Sequence, residues 1–549
     1  MGSIWSQTCS IGRRPPLRGH LKTQAAVVGA GMAGVLTAYA LQQAGLSVVV
    51  LEAGRIAGGQ TQNTTAKITS QHGLIYSRLI QSFGEETARW YAKANQDAVR
   101  AYQDLIDVQG ISCDWEERCA YLYGPDVTVL QEEAEAARRL GLPASFTREV
   151  SIPIPHDGAV CFEGQAQFHP LKFLKVLADQ LTIYEQSRVL TAEGDLLTTE
   201  LGSVQAEHIV FACHFPFVNF PGMYFARMHQ ERSYVLALQG APPVDGMFLG
   251  VGRDTFSLRT YGELLLLGGG GHRTGENTEG GQYDLLRRKA REWFPQSQET
   301  AHWSAQDCMP PDHVPYIGPY SSGHPGWYVA TGFQKWGMTS SMAAATLLCD
   351  MIQGRDNPYA GLFSPSRLDP AALPGILTEG GQAVKSMVKR FFQIPAEAAK
   401  DIPAGHGGIV FLNGKKAGVY RDESGALHPV DIRCPHLGCQ LEWDLGLSLP
   451  RLPVRLPGPA HLRARTDRPG LQSPDRPAVF TAISRAVSIM IDLVRKGLSL
   501  RFTNQAAALV CGSSADVRPM SLLFTAWGQR RAPSSPAAAG EEGALVRLV

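Results

Sequence analysis

The sequence predicts an α/β dinucleotide-binding fold, interrupted by an antiparallel α+β lobe and followed by the beginning of a small all-β domain. Three observations carry this. Ala25-Ala26-Val27-Val28 has the apolar character of a buried strand and runs directly into Gly29-Ala30-Gly31-Met32-Ala33-Gly34, which opens an apolar helical stretch. Apolar and aromatic strands such as Tyr234-Val235-Leu236-Ala237-Leu238 and Leu264-Leu265-Leu266-Leu267-Gly268 recur between residues 222 and 300. Residues 407–422 read as two short strands joined at Asn413-Gly414, a hairpin signal.

The 549-residue length calls for three or four domains. A hydrophobic content of 44% and a formal net charge of +1 offer no excess of cations for nucleic acid. No apolar run reaches the ~20 residues of a membrane span, and residues 1–24 lack the apolar core of a secretory signal. The ten cysteines are scattered rather than framed in pairs, which fits a reducing cytoplasm.

Residues 1–23 form an N-terminal arm, and 24–95 the first part of the nucleotide domain. There Gly29 permits a tight turn, Gly31 lets backbone approach a pyrophosphate, and Gly34 allows close helix–strand packing. A second strand, 47–51, ends in Glu52-Ala53, where a carboxylate accepts hydrogen bonds from ribose hydroxyls. The segment from Gly58 to Lys67 is rich in glycine and hydroxyl groups and suits a second approach to the cofactor. Residues 96–152 open the lobe, with a helix over 129–140. Residues 153–221 return to the nucleotide domain with strands over 185–189 and 208–214. Residues 222–300 complete the lobe. Residues 301–360 close the nucleotide domain with a strand at 327–330, a turn at Thr331-Gly332 and a helix from Gly337 through Leu348.

Three segments are more specific: Thr64-Thr65-Ala66-Lys67-Ile68-Thr69-Ser70-Gln71-His72-Gly73, Tyr224-Phe225-Ala226-Arg227-Met228-His229, and Val329-Ala330-Thr331-Gly332-Phe333-Gln334-Lys335-Trp336-Gly337-Met338-Thr339. With them the chain, over roughly residues 3–444, resembles the D-amino-acid-oxidase-like FAD oxidoreductases, the glycine and sarcosine oxidase group, and more closely the bacterial flavoproteins of that group that carry a C-terminal Rieske domain. The resemblance implies an FAD-binding fold of the glutathione-reductase type with an inserted substrate domain. It implies FAD contacts at Gly29, Ala30, Gly31, Gly34, Glu52 and Ala53, at Gly59, Thr61, Thr65 and Ala66, at Val189 and Ala212, and at Gly332, Gly337, Met338 and Thr339.

Flavin supplies the hydride-accepting power, so the protein has to bind a small-molecule substrate and exclude water. Arg227, His229, Arg232 and Tyr234 place two cations, an imidazole and a phenol within eight residues at the predicted mouth of the lobe. A guanidinium there suits a substrate carboxylate, so Arg227 and Tyr234 are catalytic candidates. Lys67 joins them as a cation near the flavin, while His72 reads as a turn or core histidine. Cys308 has no paired base in the sequence and reads as structural. The expected activity is FAD-dependent oxidation of a small amine or amino-acid-like donor. The rival expectations are a flavin electron carrier reduced by a redox partner protein, and a nonfunctional product of a damaged gene.

Residues 361–400 read as linker and helix, and 401–444 as an incomplete Rieske domain. Cys434-Pro435-His436-Leu437-Gly438-Cys439 supplies the Cys-x-His half of a [2Fe–2S] site, with Cys434 and His436 as the metal ligands. The resemblance makes Cys439 a disulfide partner. The answering Cys-x-x-His is missing, since only His461 and Cys511 follow, far apart and in the wrong order. From residue 445 the composition turns basic, with 14 Lys plus Arg against 6 Asp plus Glu. Codons for Trp-Asp-Cys-Pro-Cys-His-Gly-Ser-Arg-Phe, read in a shifted frame, give Leu-Gly-Leu-Ser-Leu-Pro-Arg-Leu-Pro-Val, the sequence of residues 445–454. A frame change at about Asp444 is therefore expected, with 445–549 a poorly ordered tail.

Overall fold

The computed structural model describes residues 2–218, 222–252, 255–274, 281–367, 402–404, 407–412, 415–422 and 424–430, and three short strands beyond residue 498. Two compact units divide the chain, 1–452 and 453–549.

The nucleotide fold is an eight-stranded sheet. Its main order is Tyr316–Pro319, Trp327–Thr331, Gly202–Phe211, Gly19–Val28, Val48–Leu51 and Ile183–Tyr184. Gly19–Val28 runs parallel to both neighbours. Its last four residues are buried on both faces, the reason they read as an unbroken apolar run rather than an alternation. Helix Met32–Gln43 packs on this sheet, and helix Gly337–Ile352 packs against it in turn.

The strand expected over 185–189 lies earlier, at Ile183–Tyr184. Residues 185–189 leave the sheet, with Gln186 at φ +51°. The cause is Glu185, whose buried carboxylate needs donors. It accepts the backbone N–H of Arg14 at 2.9 Å and of Ile56 at 2.8 Å, and pairs with the Arg55 guanidinium.

The lobe is a nine-stranded sheet ordered Gln298–Met309, His229–Gln239, Leu264–Arg273, Ser257–Tyr261, Met247–Gly250, Glu116–Gly124, Gly158–Gln167 and Lys67–Ile68, with Ala144–Thr147 paired to Gly158–Gln167. It takes in Lys67–Ile68, Gly158–Gln167 and Gln298–Met309, so it reaches beyond the 96–152 and 222–300 segments, and it is mixed rather than antiparallel, since Met247–Gly250 runs parallel to Glu116–Gly124. The boundary expected at 95 falls inside the 25-residue helix Glu85–Gln109, whose buried face runs unbroken from Ala88 to Ile106.

Alternation sorts the two faces of this sheet. Val235, Ala237, Ala301 and Trp303 face the core shared with the nucleotide fold. Tyr234, Leu236, Leu238, Leu258, Leu265 and Leu267 face the other way, under helix Gln282–Trp293. The hairpin Gly407–Leu412 with Lys415–Arg421, joined by Leu427–Val430, forms a separate three-stranded antiparallel sheet, as expected. The second unit holds Ser499–Leu500, Phe524–Trp527 and Leu545–Val546 in an antiparallel sheet. Cys434, His436 and Cys439, the helix expected near 384–392 and most of 445–549 lie outside the described residues.

Candidate active site

The glycine turn is a cradle that side chains would fill. Gly29 sits at φ +108°, and a Cβ there would lie 2.6 Å from the Ala212 carbonyl oxygen at the end of the neighbouring strand. A Cβ on Gly34 would lie 1.8 Å from the Gly29 carbonyl oxygen, and one on Gly31 would lie 3.2 Å from Thr61 Oγ1. The Thr61 hydroxyl accepts the Met32 N–H at 2.9 Å, which fixes the 58–63 segment over the helix start. Glu52 follows Val48–Leu51, accepting the Ala30 N–H at 2.8 Å and the Gly54 N–H at 2.7 Å. Burial raises its pKa, opposed by those two N–H groups. Bare backbone at a helix start, a hydroxyl and a carboxylate on one strand edge are the donor and acceptor set for a dinucleotide, so FAD fits. Val189 and Ala212 are both buried, Val189 in one apolar cluster of the nucleotide fold and Ala212 in the core shared with the lobe, and Gly59 and Ala53 flank the turn.

Two further returns of the chain meet the first. Lys67 is enclosed under the lobe, donating to the Phe248 carbonyl and to Ser257 Oγ, each at 2.8 Å. Burial lowers its pKa to about 7, with the charge of Arg259 pushing the same way. Arg259 donates to the carbonyls of Thr65 and Ala66 at 2.7 and 2.8 Å. Gly332 is at φ +74°, where a Cβ would meet Pro310 at 2.7 Å. Met338 and Thr339 begin helix Gly337–Ile352. The Met338 carbonyl accepts the Tyr102 hydroxyl at 3.0 Å, and Thr339 Oγ1 lies 3.2 Å from the Thr69 carbonyl. His72 stacks on Trp336 at 4.7 Å, and burial lowers its pKa to about 3. It is a core histidine, as expected.

The substrate-side candidates separate. Tyr234 is fully buried on the helix-covered face, with its hydroxyl 3.0 Å from His272 Nε2. His272 Nδ1 faces the Arg273 carbonyl at 2.9 Å, so its Nε2 is the acceptor. The period of two that makes 229–239 a strand is what turns Tyr234 away from the nucleotide fold. Arg227 is also committed elsewhere: its guanidinium stacks 4.3 Å from the Tyr316 ring and donates to the Pro365 carbonyl. Arg367, paired with Asp312 at 2.7 Å, stacks on the same ring at 4.2 Å.

Turned inward instead are Glu231, on His229–Gln239, and Asp307, on Gln298–Met309, cross-strand partners on the same face as Val235 and Trp303. Lys335, from the turn before helix Gly337–Ile352, reaches Glu231 at 3.3 Å and Asp307 at 3.6 Å. His229 Nε2 lies 3.5 Å from Glu231. The His229 hydrogen bond holds the Glu231 pKa down at about 2, whereas burial raises Asp307 to about 6. This cluster was not singled out in the sequence. Its signal is a pair of ionisable residues on the same register as the buried Val235 and Trp303, legible only once the faces are assigned. A second pair also escaped: Cys308 Sγ lies 3.4 Å from His214 Nε2, although 94 residues separate them. Burial raises the thiol pKa and lowers the imidazole pKa to about 4, so the two are neutral neighbours rather than an activated nucleophile.

Residues 24–351 match the family model described as FAD dependent oxidoreductase, DAO. The chain belongs to this family. YhfW of Bacillus subtilis (strain 168), named as a Rieske 2Fe-2S iron-sulfur protein, is 37% identical over 464 residues, covering 80% of this chain and 91% of its own. Glycine oxidase of Pseudomonas aeruginosa is 26% identical over 365 residues, covering 61% and 97%. Among solved structures, glycine oxidase from Geobacillus kaustophilus superposes with a TM-score of 0.54 at 18% identity, covering 63% of this chain and 99% of its own. L-proline dehydrogenase from P. horikoshii gives 0.54 at 16% identity, covering 64% and 98%. These likenesses show the fold. This chain is an FAD-dependent oxidoreductase.

A Rieske cluster does not fit this chain's donor set. Two irons need two Cys and two His, and the sequence supplies Cys434 and His436 without the second pair. Among the described residues, no group of three or more His, Cys, Asp or Glu is placed to hold a metal ion. Among the described residues, no helix is long and apolar enough to cross a membrane.

Proposed function

We propose that the chain oxidises a small amine or amino-acid-like donor, with FAD as the hydride acceptor. The observation that carries this is the Glu231, Asp307 and Lys335 cluster, where the inward face of the lobe meets the turn that leads into helix Gly337–Ile352. The Gly29–Gly34 turn, Thr61 and Glu52 would hold FAD, which would supply the acceptor for a hydride from the donor carbon. The donor nitrogen then forms a double bond to that carbon and releases one proton. In this reading Glu231 holds the donor nitrogen and the Asp307 carboxylate takes its proton. Lys335 keeps both carboxylates in place, and the apolar lobe face excludes water. Lys67 is the buried cation beside the cofactor turn. Arg227 and Tyr234 act through packing.

The test is an anaerobic screen of primary and secondary amines and amino acids, read as bleaching of the flavin band. Bleaching by at least one amine is expected. A chain that holds FAD and is reduced by a redox partner protein but by no small donor would instead establish the electron-carrier reading.

We further propose that the C-terminal part derives from a Rieske domain whose second ligand pair was lost through a change of frame at about Asp444. The likeness to YhfW supports this: the match spans 80% of the chain, and residues 445–549 have the size of the remaining fifth. Sequencing the DNA between the codons of Cys439 and Val454 decides it. A Cys-x-x-His in another frame is expected, and its absence from every frame removes the idea.

A further inference from the structure

The N-terminal arm lies outside the residues matched by the family model, which begin at 24, yet it is built into the cofactor site. Helix Ile4–Thr8 buries Trp5 completely. The Trp5 ring packs edge-on against Tyr261 at 4.7 Å and His169 at 5.0 Å, with the Arg259 guanidinium 5.4 Å from its centre. Its indole N–H donates to the Thr64 carbonyl at 2.7 Å. Arg259 takes the next two carbonyls, of Thr65 and Ala66. Three consecutive carbonyls are thus gripped by two buried side chains.

The turn needs that grip. Ala66 lies at φ +57°, a left-handed conformation that a residue with a Cβ adopts only when its surroundings enforce it. Further along, the arm fastens to the other end of the site. The Ile11 carbonyl accepts from Arg55 at 2.7 Å, the Arg14 N–H donates to Glu185 at 2.9 Å, and the Leu17 N–H donates to Ser187 Oγ at 2.8 Å. One short segment therefore ties the 64–66 turn, the loop after Glu52 and the bend at 185–187 to one another.

We propose that the arm is part of the FAD site and that Trp5 is a positioning residue, acting through the Thr64 carbonyl on the strained turn at Ala66. This rests on FAD lying against residues 64–66. Trp5 touches neither substrate nor cofactor. Its N–H holds the turn in the one shape that presents its other edge to the flavin, and Arg259 completes the hold.

The test uses the full chain with Trp5→Phe, which keeps an aromatic ring and removes the donor. Three quantities are measured: the FAD dissociation constant, the reduction potential of the loaded protein, and its visible flavin band. The expected result is about tenfold weaker FAD binding, with a displaced band and a shifted potential. Adding Ala66→Gly, which removes the left-handed penalty, is expected to recover part of the lost affinity; a role confined to global stability would not be rescued at that position. Should Trp5→Phe fail to accumulate, Arg259→Lys is read in the same way, since it keeps the charge and breaks the grip on two carbonyls. Unchanged affinity, band and potential in the variant overturn the proposal. A wild-type chain that binds no FAD overturns the parent reading instead.

Discussion

Glu231 and Asp307 stand directly opposite one another on adjacent antiparallel strands, two carboxylates on one face of the sheet. Like charges in that position repel, and Lys335 bridges them with about a third of its own side chain still in solvent. The cost falls unequally. Glu231 keeps its charge through His229, while the more buried Asp307 carries a pKa raised to about 6.

The sign of the pH effect follows. Below the ordinary aspartate range both folded and unfolded chains hold the Asp307 proton. Between there and pH 6 the unfolded chain releases it and the folded chain does not, so this group's contribution to stability is lost as pH rises through about 6. Asp307→Asn is expected to remove that decline, on the order of 2 kcal/mol. Urea unfolding at pH 4 and pH 7 measures it, and an equal drop in the wild type and the variant counts against the assignment.

Face assignment makes a second prediction. Glu231→Gln, on the inward face, is expected to raise KM for an amine donor at least tenfold, about 1.4 kcal/mol. Tyr234→Phe, on the helix-covered face, loses the hydrogen bond to His272. It is expected to cost about 1 kcal/mol of stability and to leave KM unmoved. Steady-state kinetics and thermal melting of both variants check the pair, and the reverse pattern would return Tyr234 to the site.

A third contrast tests the cradle. Gly34→Ala sets a methyl group 1.8 Å from the Gly29 carbonyl oxygen, a backbone atom that cannot swing aside. Loss of bound flavin and a melting temperature lower by several degrees are expected. Gly361→Ala, away from the cofactor cradle, meets nothing within 4 Å and is expected to retain flavin with a melting temperature close to wild type. Flavin content per chain and a thermal scan suffice to compare them.

The nucleotide half was largely legible because its signals are local. The strand, glycine turn, helix Met32–Gln43 and Glu52 lie within one continuous run, and each residue's backbone duty shows in its type. The substrate side was not, because Arg227, Arg232 and Tyr234 advertise chemistry by type alone. Which of them faces inward depends on the strand register and on what covers the outer face, namely helix Gln282–Trp293. Glu231 lay inside the same eight residues and was passed over, since its partner Asp307 is paired with it through the sheet rather than through sequence. Trp5 was hidden for the same reason: a tryptophan 59 residues from the carbonyl it holds carries no local signature.

Lys67 supplies the last test. It is enclosed beneath the lobe with Arg259 as a cationic neighbour, and its ammonium is held by one carbonyl and one hydroxyl rather than by a carboxylate. Burial therefore brings its pKa down to about 7, with Arg259 adding to the effect. Lowered in a cation, the shift has the opposite sense to that of Asp307. From about pH 7 up to the ordinary lysine range, the folded chain has given up the proton that the unfolded chain still holds, so stability rises with pH across that window. Lys67→Met is expected to flatten this rise and to raise stability at pH 6, because a charge with no counter-ion among the described residues is exchanged for an apolar chain of similar length. If Lys67 also acts on the substrate side, the pH profile of kcat/KM carries an ionisation near 7 that the same variant abolishes. A variant that flattens the stability curve but keeps the kinetic ionisation makes Lys67 a structural cation, and the ionisation then belongs to another group, with Asp307 the first to test by Asp307→Asn.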